Sequence, residues 1–165
     1  MGHADRHVTR FLNGGEQQFM SRIFVIATSA ILCVAAVTPT WAGDLHGNWL
    51  TENGRATVTI VDCGGALCGK IVALKEPNDP ATGKPKTDKN NSDAAKRIRP
   101  LIGVQIVIDM KPDATADRWK GQVYNAEDGN TYSGSITLVN AKTLNLQGCA
   151  LGGLICKTQR WTRPN

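Results

Sequence analysis

The sequence predicts an all-β protein: an eight-stranded antiparallel up-and-down barrel with one long loop carrying a short helix, preceded by a signal peptide. Three observations predict it. Apolar and β-branched residues alternate with polar ones in short runs, the period of strands buried on one face. Turn residues punctuate those runs, with Asn53-Gly54, Gly64-Gly65, Asp128-Gly129 and Gly152-Gly153 the clearest. Gly47-Asn48-Trp49 opens the first strand and Trp161-Thr162-Arg163 closes the last, as suits a barrel whose floor is plugged by Trp49. Closure is the natural end for a meander of eight strands, because it removes both unpaired edges.

Taken in order, residues 1–19 precede a segment that should itself be N-terminal, and are expected to be an upstream extension from a start assigned too early. Residues 20–42 have the form of a secretory signal: Met20-Ser21-Arg22, the apolar run Ile23 to Val37, then Thr40-Trp41-Ala42. The run is shorter than the ~20 residues of a membrane span, so cleavage after Ala42 is expected, with no stable membrane anchor afterwards. The barrel then occupies 43–165. Strand one is expected over 46–52, strand two over 55–63 and strand three over 68–74. A long connection, 75–103, holds four prolines and a short helix over 93–98, capped by Ser92 and stopped by Pro100. Loops of this length are lids, binding loops or disordered segments. Strand four, 104–111, places Val104, Ile106, Ile108 and Met110 on one face. Strands five (118–124), six (130–139), seven (143–149) and eight (155–163) complete the meander, with odd-to-even turns at one rim and even-to-odd turns at the other.

Cleavage at Ala42 leaves 16 basic and 12 acidic residues, a net charge of +4. That excess is mild and interspersed with acids, and no ladder of aromatic and basic residues accompanies it, so no nucleic-acid partner is expected. Four cysteines remain, an even number suited to an oxidising compartment. Zinc is the competing reading, but neither spacing is C-x-x-C and no histidine is near, so no metal is expected. Two local disulfides are, Cys63 to Cys68 and Cys149 to Cys156, because each hairpin sets its pair opposite one another at bridging distance. The expected location is periplasmic or secreted.

Gly47-x-Trp49 with Arg163 closing strand eight resembles the lipocalin and calycin arrangement, in which an arginine packs over the tryptophan at the closed end. A wider set of motifs runs through the chain: Cys63-Gly64-x-x-Leu67-Cys68-Gly69-Lys70-Ile71-Val72, Thr82-Gly83-Lys84, Asp88-x-x-Asn91, Arg99-Pro100-Leu101-Ile102-Gly103, Trp119-x-Gly121, Tyr124-Asn125-x-x-Asp128-Gly129-x-Thr131-Tyr132 and Gly148-Cys149. Together these resemble the exported bacterial family called domain of unknown function 2147. The resemblance implies a lipocalin-like barrel in the periplasm or outside the cell, and no settled activity.

Candidate chemistry is sparse. His46 is the one histidine after residue 42, and its place beside the floor suits neither a Ser-His-Asp nor a Cys-His mechanism. Catalytic residues and cofactors are therefore not expected. The stretch Asp88 to Ser92 lacks the glycine and glutamate of a calcium loop and reads as a polar surface loop. At the rim of the long loop, Tyr124, Asp128 and Tyr132 meet Asp88, Asn91, Arg97 and Arg99. Either these residues select a ligand with a polar or anionic head, or the tyrosines pack and the arginines pin the loop to Asp128. Within the barrel, Ile106, Ile108, Met110, Trp119 and Ile136 either line a cavity for an apolar ligand or fill the barrel themselves. Two functions follow, a non-enzymatic protein that binds a small, partly apolar molecule at the loop-covered mouth, or an envelope module that recognises a protein or cell-wall component through the 75–103 face; an enzyme using the Tyr and Asp groups of the mouth is the third and weakest reading. Composition carries no signal of oligomeric state.

Overall fold

Alternation of inward and outward side chains, broken by tight turns, produces eight strands in the computed structural model, which describes residues 44–115 and 117–165. They are β1 (Gly47–Leu50), β2 (Ala56–Asp62), β3 (Leu67–Leu74), β4 (Gln105–Pro112), β5 (Arg118–Asn125), β6 (Asn130–Asn140), β7 (Thr143–Ala150) and β8 (Ile155–Thr162). Each pairs antiparallel with the next and β8 returns to β1, closing the barrel as the strand pattern predicts. The extension over 1–19, the signal segment over 20–42 and cleavage after Ala42 lie outside the described residues.

The seam is thin. Where β7 and β8 pair along eight residues, β8 and β1 share the single pair Leu50–Thr162. Strand order fixes two rims. The turns after β1, β3, β5 and β7 crowd one end, which is the mouth; those after β2, β4 and β6 lie at the other, where the chain enters β1 and leaves β8. Trp49, Val58, Ile60, Val107, Met110, Ile136 and Leu144 are fully buried and form the packed core.

Strand four departs from the expected alternation. Gly69 pairs with Val107 while the next residue, Lys70, pairs with Gln105, so Ile106 is an extra residue in the ladder. Such a bulge turns consecutive side chains to one side, and Ile106 and Val107 are both buried. A second irregularity follows at Asp109, whose φ is 49°. Ile108 is thereby moved off the cavity face expected for it and lies half-buried in a shallow groove beside Asn91, Ser92, Gln105 and Thr131.

The helix expected over 93–98 is a single 3-10 turn, Ala94–Lys96, and its cap is Asp93 rather than Ser92. The Asp93 carboxylate accepts the Ala95 N–H at 3.0 Å, whereas the Ser92 backbone N–H donates to the Gly129 carbonyl and ties the loop to the barrel. Both disulfides join the expected partners, with Cα separations of 5.8 Å for Cys63–Cys68 and 4.1 Å for Cys149–Cys156. Among the described residues no helix is long and apolar enough to cross a membrane.

Candidate functional site

At the closed end Trp49 is fully buried, and its indole N–H donates to the Leu45 carbonyl at 2.8 Å. Arg163 lies over the ring with its guanidinium carbon 4.0 Å from the ring centroid. The same guanidinium donates at 2.6 Å to the carbonyls of His46 and Asp44. A cation over an indole face is favourable in itself, and here it also ties the end of β8 to the chain entering β1, where the strand ladder is weakest. Gly47 sits under this arginine, and a Cβ there would meet Nη1 at 2.8 Å.

The long loop is held by one buried cluster. Asp88 has no exposed surface, and its carboxylate accepts from the Tyr124 hydroxyl at 2.6 Å and the Asn91 amide at 2.8 Å. Arg99 donates from Nη2 at 2.8 Å and from Nε at 3.0 Å, both to Oδ2, while Tyr124 holds Oδ1. Burial pushes the Tyr124 hydroxyl up to about 12, and its hydrogen bond to Asp88 acts in the same direction. Arg97 caps the arrangement by donating to the Asn91 carbonyl at 2.8 Å. Asp88 is thus a buried anchor, where a polar surface loop is expected from sequence. The arginines do not reach Asp128. That carboxylate serves its own turn, accepting from Asn125 at 2.7 Å and from the Tyr132 hydroxyl at 2.8 Å; the latter bond raises the Tyr132 pKa.

Above the packed core the mouth half of the barrel is hollow. The cavity has a volume of about 820 Å³, within the range of roughly 300–1,000 Å³ usual for small-molecule sites. Trp161, Leu146, Ile106, Ile71 and Val123 line its apolar part, and Leu74, Leu101 and Ala126 continue it toward the loop. The register explains the lining: Ile155, Lys157, Gln159 and Trp161 occupy alternate positions of β8, and Leu146, Gly148 and Ala150 occupy alternate positions of β7. On β5 and β6, Val123 pairs with Tyr132 on the cavity face, while Tyr124, which pairs with Thr131, lies between the cavity rim and the outer groove and gives its hydroxyl to Asp88.

Of the residues expected to bind ligand at the mouth, Tyr124, Asp128 and Tyr132 border the cavity. Asp88, Asn91, Arg97 and Arg99 do not; they are spent on the anchor that orders the loop. Of the expected cavity residues, Ile106 lines it, while Met110, Trp119 and Ile136 are buried in the packed core and Ile108 faces the outer groove. Trp119 pairs with Ile136 and with Pro112 at the end of β4, on the closed side. Ile71, Val123, Trp161 and Lys157 line the cavity without standing out as cavity residues in the sequence. The β8 face reads apolar, basic, polar, aromatic, so counting apolar residues alone passes over it, although strict alternation from Trp161 finds it. Charges at the rim are paired, Arg55 with Glu127 of another turn at 3.7 Å and Lys86 with Glu76 within the long loop at 3.3 Å. Among the described residues no cluster of His, Cys, Asp or Glu has the makings of a metal site.

Comparison with curated proteins finds no match. Among solved structures the chain is similar to protein HP1028 from the human pathogen Helicobacter pylori, described as belonging to the lipocalin family. The two are 23% identical, the match covers 74% of this chain and 84% of that one, and the TM-score is 0.61. At that identity the likeness is one of fold. A family model matches residues 47–163, from the glycine under the floor arginine to that arginine itself. On that match the chain belongs to the bacterial family described as uncharacterized protein conserved in bacteria, DUF2147.

Proposed function

We propose that this protein is an exported, non-enzymatic binder that takes a small, partly apolar molecule into the mouth half of its barrel, beneath the rim of the 75–103 loop. The observation that carries this reading is the cavity of about 820 Å³, apolar at its base around Trp161 and polar at its rim. The likeness in fold to a lipocalin supports it. So does the state of the rim groups: Tyr124 and Asp88 hold each other, as do Tyr132 and Asp128, which leaves neither pair poised for acid–base work. Export rests on the 20–42 segment together with the two disulfides, which persist in oxidising compartments.

Gly148 gives the test. Its position faces the cavity, and the nearest atom a Cβ there would meet is 3.7 Å away, in Tyr132, so a larger side chain has room to grow inward. Natively purified protein is extracted and the extract analysed by mass spectrometry. A small molecule should accompany the parent protein and be absent from Gly148→Leu, while both variants melt at similar temperature. Equal recovery from both would remove the cavity as the binding place. N-terminal sequencing of protein from the periplasm should begin at Gly43; recovery of an intact start in the membrane fraction would count against export.

A further inference from the structure

Resting on that reading of the cavity, we propose that its ligand is an anionic amphiphile, with a carboxylate or similar oxyanion head held by Lys157 and an apolar tail packed toward Trp161.

Three observations converge on Lys157. It occupies an inner-face position of β8, between Ile155 and Gln159, so its side chain starts from the cavity wall rather than the outer surface. The residue directly opposite it on β7 is Gly148, and the next cavity-facing β7 position is Ala150. The wall in front of the lysine is therefore bare, and leaves a niche for a head group. Finally, Lys157 has no ion pair or side-chain hydrogen bond among the described residues, although the other rim charges largely do. Arg55 meets Glu127, Lys86 meets Glu76, and Asp128 is taken up by Asn125, Tyr132 and the Asn130 N–H. Lys75, at the start of the loop, is the second rim cation without such a partner and adds to the positive field at the mouth.

Depth sets the order of the ligand. Going down β8, Lys157 is followed by Gln159, which accepts the Trp161 indole N–H at 3.0 Å, and then by the buried Trp161 ring. A head at Lys157 thus sends its tail past Gln159 onto Trp161, Leu146 and Ile106. Lys157 is exposed at the mouth, where an entering anion can reach it, and the apolar wall deeper in the cavity takes up the tail. A neutral tail alone leaves Lys157 without a partner.

Isothermal titration with dodecanoate and dodecanol separates head from tail, with inorganic phosphate as a head lacking a tail. Dodecanoate should bind the parent protein roughly tenfold or more tightly than dodecanol, the scale of a charge-assisted hydrogen bond, and phosphate should bind weakly. Lys157→Gln should erase the difference between acid and alcohol, and Lys157→Glu should turn the preference toward dodecyltrimethylammonium. Equal affinity of the parent for acid and alcohol, abolished in both by Gly148→Leu, would overturn the anionic head while leaving the cavity reading intact. Acid preference unchanged in Lys157→Gln would overturn the residue assignment. Binding of none of the three probes would overturn this inference, and an empty native extract beside it would overturn the cavity reading as well.

Discussion

Trp49 and Arg163 act as a unit: the indole fills the closed end, and the guanidinium covers it while hydrogen-bonding the main chain of residues 44 and 46. Trp49→Ala should cost about 3–5 kcal/mol, the loss of a buried aromatic side chain plus the hole it leaves, read as a shift in the denaturant midpoint. A midpoint that barely moves would mean the floor is held elsewhere. Gly129 is a second position where one atom decides. Its φ is +75°, and a Cβ there would overlap the Asn90 carbonyl of the loop packed against it. Gly129→Ala should therefore detach the loop rather than unfold the barrel, seen as rapid proteolytic cutting within 75–103 with little change in far-ultraviolet circular dichroism.

At the scale of elements, the long loop is an ordered strap. Its arms run alongside each other, with Asp88 N–H on the Arg99 carbonyl and Leu101 N–H on the Lys86 carbonyl, and Asp88 fastens them to β5. Tyr124 makes that fastening sensitive to alkali. Its pKa of about 12 in the fold exceeds the value near 10 of an unfolded tyrosine. The folded state therefore holds the proton more tightly, and its stabilisation is complete below about pH 10 and lost as pH rises toward about 12. The melting temperature should fall across that window, and Tyr124→Phe should flatten the fall; parallel profiles would show that another group governs it. The participants are legible in sequence, where Asp88-x-x-Asn91, Arg99 and Tyr124 all stand out. Their pairing is not: the arginines serve the Asp88 cluster instead of Asp128, because burial of Asp88 is a property of the folded strap and spacing does not reveal it.

For the molecule as a whole, closure is uneven. β5 and β6 pair along eight residues, whereas β1 and β8 share one pair reinforced by Arg163. Sub-global opening begins where few hydrogen bonds must break, so amide exchange should be fastest in β1 and slowest in β5 to β7. Arg163→Ala should speed exchange over residues 45–50 selectively. Uniform protection around the barrel would contradict a weak seam. The two disulfides each clamp one hairpin, one at either rim, and leave this seam free to open.

The sequence by itself determined the eight strands, the closure, the floor pair and both disulfides. The strands, the closure and the disulfides follow from local rules, namely a period of two, tight turns, and cysteines facing one another across a hairpin; the floor pair follows from the resemblance carried by Gly47-x-Trp49 and Arg163. Strand ends came out within one or two residues because Gly, Pro, Asn and Asp mark the turns. The tertiary structure alone decided which barrel residues fill the core and which line a cavity. Inward-facing positions look alike in sequence, and whether Met110 or Ile106 meets empty space depends on how far along the barrel axis the core reaches. The bulge at Ile106 belongs to the same class, since it shifts the phase of the strand as far as the second irregularity at Asp109 and is visible only when β3 and β4 are paired. Lys157 shows the consequence for function: as one residue among surface lysines it carries no signal, and it becomes a candidate ligand contact because the register sets it on the cavity wall opposite Gly148.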